Sequence, residues 1–152
     1  MSVPARFRDT IALRCANYRQ GSIPADDKQL SIVIAKEMNR LKAYDAIGDQ
    51  ELSADLEASL ADLPAAERMA ALDDLGRDNV GGATEVSFDS AGRLVLPQLI
   101  RDLVGIKDVA LFWGNIKHFE IWAPDKAAEA FADQPVNLAI LNGLLKEKGL
   151  SL

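Results

Sequence analysis

One short motif occurs twice at a constant offset, and this constrains the fold more than any other feature. Val3-Pro-Ala-Arg-Phe-Arg-Asp9 recurs as Leu96-Pro-Gln-Leu-Ile-Arg-Asp102. Pro4 answers Pro97, Phe7 answers Ile100, Arg8 answers Arg101 and Asp9 answers Asp102. The sequence downstream also repeats. Leu30-Ser-Ile-Val-Ile34, a polar break at Glu37-Met-Asn39 and Arg40-Leu-Lys-Ala-Tyr44 match a later pair in pattern. That pair is Val109-Ala-Leu-Phe-Trp113 and His118-Phe-Glu-Ile-Trp122, a hairpin by alternation around Gly114-Asn115. The chain therefore reads as two copies of one small unit.

The second copy is the fuller one. Val86 and Phe88 alternate with Ser87 and Asp89, the pattern of a half-buried strand. Asp89-Ser-Ala-Gly92 predicts a turn, with Gly92 free to take positive φ. Leu94–Leu96 restarts a strand, Pro97 opens a short helix over Gln98–Val104, and Gly105 caps it. In the first copy, nothing before Ser2 answers Val86–Arg93. The expectation is a chain shorter than the natural protein, or one that has lost this strand and turn.

Charge divides the chain further. Residues 1–44 hold eight Lys/Arg against four Asp/Glu, whereas residues 45–80 hold two against ten. The first segment is a candidate basic surface and the second an acidic connector. Within the connector, Leu52, Leu56, Leu60 and Leu63 share a helical face, and Pro64 starts a second helix with Ala66, Met69, Leu72 and Leu75 as its stripe and Gly76 as its end. After the last hairpin, Pro124–Ala132 predicts a helix, Pro135 a weaker one through Leu145, and residues 146–152 a frayed end. The whole chain is at −6, which argues against nucleic-acid binding by net charge alone. No apolar run is long enough to span a bilayer, and Met1–Arg8 lacks the apolar core of a signal peptide. A lone cysteine, Cys15, forms no internal disulfide and fits a reducing cytoplasm. One His and one Cys leave little for a metal site, and none is expected.

Asp89-Ser-Ala-Gly-Arg93-Leu-Val-Leu-Pro97-Gln-Leu-Ile-Arg101, then Gly105-Ile and Phe119-Glu-Ile-Trp122, resembles the MraZ family. These are bacterial transcriptional regulators related to AbrB-like swapped-hairpin DNA-binding proteins. Their hallmark is a duplicated Asp-x-x-Gly-Arg, each copy followed by a Pro and an Arg in a short helix. The resemblance covers nearly all of residues 2–131, with Ser2–Arg8 as the back half of the first copy; the first Asp-x-x-Gly-Arg is absent. It implies an α+β fold in which duplicated units form a pseudo-symmetric barrel with flanking helices, assembled into a ring-like homo-oligomer. It also implies repression by binding of double-stranded DNA at direct repeats upstream of the division and cell-wall gene cluster, with the protein cytoplasmic and nucleoid-associated. The expected division is a first half over 1–44, a connector over 45–80, a second half over 81–131 and a helical tail over 132–152.

The candidate DNA-binding residues are Arg93, Arg6, Arg8, Arg14 and Arg101. Arg93 follows a glycine turn that projects it outward, where a guanidinium binds phosphate or reads a guanine edge. Asp89 reads as its structural partner, because a carboxylate repels phosphate; Asp89, Gly92, Pro97 and Pro4 are the expected turn residues. Arg8 and Arg101 fit better as bonds to the loop or helix. Arg6 and Arg14 face Leu99 and Lys107 at the same offset, and they form the stronger electrostatic face. Trp113, Trp122, Phe119 and Phe112 read as core or interface rather than base-stacking residues, His118 as a turn-edge residue, and Cys15 as a small buried apolar group. The other class to weigh is an antitoxin-like or structural module that holds a protein partner. An enzyme ranks third: Asp89, Asp102 and Glu120 are carboxylates with no nucleophile–base arrangement. No cofactor, membrane or small-molecule substrate is expected.

Overall fold

The computed structural model describes residues 1–20, 23–79 and 82–151. The first copy opens with helix α1, Ala5–Asn17, then short strands β1 (Arg19–Gln20) and β2 (Ile23–Pro24) and the hairpin β3 (Gln29–Ile34) and β4 (Arg40–Tyr44). The connector is α2, Ala46–Ser59, and α3, Ala65–Asn79. The second copy is β5 (Thr84–Ser87), α4 (Gln98–Leu103), β6 (Leu111–Gly114) and β7 (Phe119–Trp122). Helices α5, Pro124–Ala130, and α6, Pro135–Glu147, close the chain.

Five strands form one antiparallel sheet in the order β5-β3-β4-β7-β6. Its centre joins the two copies: Leu41 lies opposite Ile121 and Ala43 opposite Phe119. All four side chains are buried. Each copy contributes a hairpin to this centre, and β5 crosses over to pair with β3 of the other copy, Leu30 opposite Val86. The fold is thus α+β, but the expected barrel is not formed: among the described residues the ladder stays open, with β5 and β6 as its edges. The physical reason lies in the pairing. The outer side of β3 has a strand to bond, and the outer side of β6 has none.

The main core fills the space between the sheet and helices α1 and α4, with Val3, Ile11, Leu30, Leu41, Val86, Phe88, Leu96, Ile100 and Ile121 buried together. Val3, just ahead of α1, is 1% exposed. A second cluster packs Trp122, Phe131, Leu141 and Leu145 beneath α5 and α6.

Several local expectations are corrected. Pro4 and Pro97 are N-caps with extended backbone, one residue outside their helices. Leu94–Leu96 does not form a strand; Arg93 and Leu94 make only isolated bridges, to Ser2 and Phe88. Helix α3 passes through Gly76 to Asn79. Its apolar stripe is shallowly packed, with Met69 69% exposed. Helix α5 ends at Ala130. Helix α6 runs past Leu145 to Glu147, and Gly149 at φ 68 lets the Leu150 N–H close on the Leu145 carbonyl, so its end is capped rather than frayed.

Candidate nucleic-acid interface

The turn between β5 and α4 is held from within and from the other copy. Asp89 accepts three bonds: Oδ1 takes the backbone N–H of Ala91 at 3.0 Å and of Arg93 at 2.9 Å, and Oδ2 takes Arg93 Nε at 2.7 Å. These bonds, led by the Arg93 backbone N–H, hold the Asp89 carboxyl below its usual range. Gly92 closes the turn at φ 83, a conformation that disfavours a side chain. It also has no room for one, since a Cβ there would stand 2.7 Å from the Val3 carbonyl and 2.8 Å from Arg8 Nε.

The first copy supplies the outer clamp. The Val3 N–H donates to the Gly92 carbonyl at 2.8 Å, and the Leu94 N–H donates to Met1 O at 3.0 Å. The Met1 ammonium donates to Leu94 O at 3.1 Å, and the Ser2 hydroxyl to Ala91 O at 3.3 Å. Arg8 bridges both copies: Nε donates to Val3 O at 3.2 Å and Nη1 to Ser90 O at 2.9 Å. Arg8 is therefore engaged by carbonyls of the loop.

Arg93 is presented differently. Its side chain is 77% exposed, and the Asp89 pair fixes it through Nε. The end of the guanidinium fork faces solvent on a turn that cannot easily rearrange. Arg6 is also exposed, lying over the Phe7 ring at 4.8 Å.

The remaining candidate cations are placed elsewhere. Arg14 faces the acidic connector. Its Nε is 2.9 Å from Asp45 Oδ2, without the N–H aimed at that oxygen, and its Nη2 is 3.3 Å from Glu51 Oε2. Asp45 is buried and also caps α2 through the Gly48 N–H at 2.6 Å. Arg14 thus ties α1 to α2. Arg101 is half-buried on α4, and its Nε is buried without a hydrogen-bond partner.

A polar cluster across the two copies was not anticipated. Glu120 on β7 accepts Arg40 Nε at 3.0 Å and Trp122 Nε1 at 2.9 Å, and Arg40 lies over the Trp122 ring at 5.2 Å. His118 stands 3.8 Å from Glu120, beyond hydrogen-bond length. Burial pushes the Glu120 carboxyl up; the opposing pull of His118, Trp122 and Arg40 outweighs it, and the carboxyl sits below its usual range. Arg40 and Glu120 lie on β4 and β7, which pair at the centre of the sheet, and neither strand's own pattern indicates that pairing. Asp102 on α4 instead accepts Gln98 Nε2 at 2.6 Å, so the three carboxylates do not form one group. Among the described residues no cluster has metal-ligand character, and no helix is long and apolar enough to cross a membrane.

Residues 80–134, which span the turn, α4 and the second hairpin, match the model of the MraZ protein family, described as antitoxin-like. The chain is similar to the MraZ proteins. It is 32% identical over 66 residues to the transcriptional regulator MraZ of Roseiflexus sp. (strain RS-1), 43% of this chain and 46% of that protein. The match thus spans about half the length of that relative. It is 26% identical over 125 residues to the MraZ regulator of Pseudomonas aeruginosa (strain LESB58), 82% of this chain and 72% of that protein. The MraZ regulator of Coxiella burnetii (strain Dugway 5J108-111) is 26% identical over 133 residues, 88% of this chain and 76% of that protein. The two longer alignments are long enough to reach into the first 44 residues as well.

Proposed function

We propose that this MraZ relative is a DNA-binding transcriptional regulator that engages double-stranded DNA through the Asp89–Arg93 turn. One observation carries the reading: Arg93 is 77% exposed on a turn locked by Asp89. A fork held in place loses less freedom on binding, so its charge-assisted bonds count for more. Arg6 adds charge on the adjoining face, while Arg8 positions the loop and Arg14 the connector. The names of the relatives support the regulatory role. In this reading the segments 1–44 and 81–131 act as paired halves, 45–80 connects them and 132–152 is a tail. The targets are direct repeats upstream of the division and cell-wall gene cluster, which the protein represses at the nucleoid.

Assembly into a ring-like homo-oligomer completes the proposal. A single Arg-bearing turn gives one contact per copy, and a closed ring of copies matches a series of repeats by avidity. Exposed Val95 and Leu99, close to the turn in sequence, and Ile116 at the hairpin tip supply apolar contact surface.

Titration with duplex DNA carrying direct repeats, at a series of salt concentrations, tests the reading. Binding by phosphate contact weakens steeply as salt rises. Salt-independent capture of a protein partner, with no DNA binding, would favour the antitoxin-like module instead.

A further inference from the structure

Arg6, Thr10 and Arg14 stand at four-residue steps along α1, so they share one helical face. The Thr10 hydroxyl donates to the Arg6 carbonyl at 2.8 Å. The helical rise puts Arg6 and Arg14 about 12 Å apart along the axis, roughly three to four phosphates of one DNA strand. Lys117, on the turn between β6 and β7, extends this row. Arg14 and Lys117 line one small cleft of about 200 Å³, together with Phe7 and Thr10. On the same helix, Arg8 bonds the Ser90 carbonyl of the turn that presents Arg93. A row of cations therefore runs along α1 away from that turn.

A second observation comes from the acidic connector. Arg6 is exposed over the Phe7 ring, whereas the other two cations are met by α2. Glu51 Oε2 lies 3.3 Å from Arg14 Nη2, and Asp55 accepts a bond from the Lys117 ammonium. The Asp55 bond holds that ammonium above its usual range. The start of α2 is seated firmly against the Lys117 turn. A Cβ at Gly48 would stand 2.8 Å from the Lys117 carbonyl, and Asp45 accepts the Gly48 N–H at 2.6 Å. The fold therefore holds the two carboxylates at the two cations. The pairs are nonetheless open to water: the side chains are 42% exposed at Glu51, 56% at Asp55 and 45% at Lys117. Pairs this exposed add little to stability. Their larger effect falls on any other anion drawn to the same cations.

We propose that Glu51 and Asp55 are a built-in brake on charge-driven DNA binding, occupying the Arg14–Lys117 half of a phosphate-binding row that Arg6 begins. The inference rests on the DNA-binding reading above and names a regulation of that same surface. A cation already balanced by a carboxylate has few counterions to release, so a phosphate gains little there. Duplex DNA of arbitrary sequence is then held weakly along the row, and discrimination is left to the Arg93 turn. Specificity is a difference of affinities, and lowering the unspecific one widens it.

The test combines Glu51→Gln with Asp55→Asn in the full chain and titrates it with duplex DNA of arbitrary sequence at several salt concentrations. Each released cation should steepen the slope of log affinity against log salt by about 0.9, hence by about 1.8 for the two. Between about 50 and 200 mM salt the variant should then lose roughly tenfold more affinity than the wild type. Asp55→Asn alone should give about half of that change in slope. Adding Lys117→Gln to the double variant should remove about half of the gain. Asp62→Asn with Asp73→Asn makes the same change of net charge at exposed positions elsewhere on the connector, and its slope should stay near that of the wild type. Melting of every variant should stay within a few degrees of the wild type, because the pairs are exposed. Three outcomes overturn the brake while leaving DNA binding in place. They are an unchanged slope in the Glu51 and Asp55 variants, equal steepening in the Asp62 and Asp73 variant, and a full gain that persists after Lys117→Gln. Absence of DNA binding in wild type and variants alike overturns both readings.

Discussion

Replacing Gly92 by Ala tests the lock on the candidate interface. At φ 83 a non-glycine residue is strained by about 1–2 kcal/mol. The new methyl would also stand 2.7 Å from the Val3 carbonyl, which is backbone and cannot swing aside. Relief requires residues 1–3 to move, and that sacrifices the bond from the Val3 N–H to the Gly92 carbonyl, worth about 0.5–1.5 kcal/mol. The combined loss is about 1.5–3.5 kcal/mol. For a chain of this length each kcal/mol lowers Tm by about 2–4 °C, so a fall of roughly 3–14 °C is expected in a thermal melt. Gly105→Ala separates the two causes. Gly105 has φ 75, but a Cβ there meets nothing within 4 Å. Its loss should stop at the strain, about 1–2 kcal/mol. Equal melting of the two variants would refute the claim that residues 1–3 clamp this turn.

Three further outcomes follow from the same geometry. Arg14→Ala leaves the buried Asp45 carboxylate short of its cation and should cost about 1–3 kcal/mol, below the value for a fully buried pair because Arg14 is 30% exposed; a denaturant midpoint matching the wild type would contradict this. Glu120 has a lowered folded pKa, so its contribution is present above the ordinary carboxyl value of 4.5 and is lost as pH falls through the folded pKa. Melting from pH 7 to pH 3 should show this fall, and Glu120→Gln should flatten it; an unchanged pH profile in the variant would exclude Glu120 as a source. Light scattering at micromolar concentration should give a mass well above 16.5 kDa; the monomer mass alone would sink the ring proposal.

Much of the architecture is legible in the chain because it follows from local pattern. Alternation at Leu30–Ile34, Arg40–Tyr44 and Phe119–Trp122 becomes strand, and Asp89-x-x-Gly92 becomes a tight turn with positive φ. Burial of Val3 follows from its correspondence with Leu96, which is 4% exposed. What escapes local pattern is pairing between distant segments. Nothing near Leu94 indicates that it bonds to Met1 rather than to a neighbouring strand. The expected barrel requires a partner for β6, and residue periodicity does not say which edges find one. Among the candidate arginines, the motif identifies the turn that carries Arg93. The engagement of Arg8 and Arg14 is set by atoms up to 82 positions away in sequence, as in the bond from Arg8 to Ser90.

The central claim is that the turn presents Arg93 to DNA, and Arg93→Ala tests it most directly when affinity and melting are measured on the same sample at fixed salt. A lost phosphate or guanine contact is worth about 1–3 kcal/mol, so affinity for duplex DNA should fall roughly 5- to 150-fold. The exposed side chain contributes little packing, and Tm should stay within a few degrees of the wild type. Unchanged affinity, or a loss of affinity no greater than the loss of stability, would contradict the account and leave Arg93 as the structural partner of Asp89 alone.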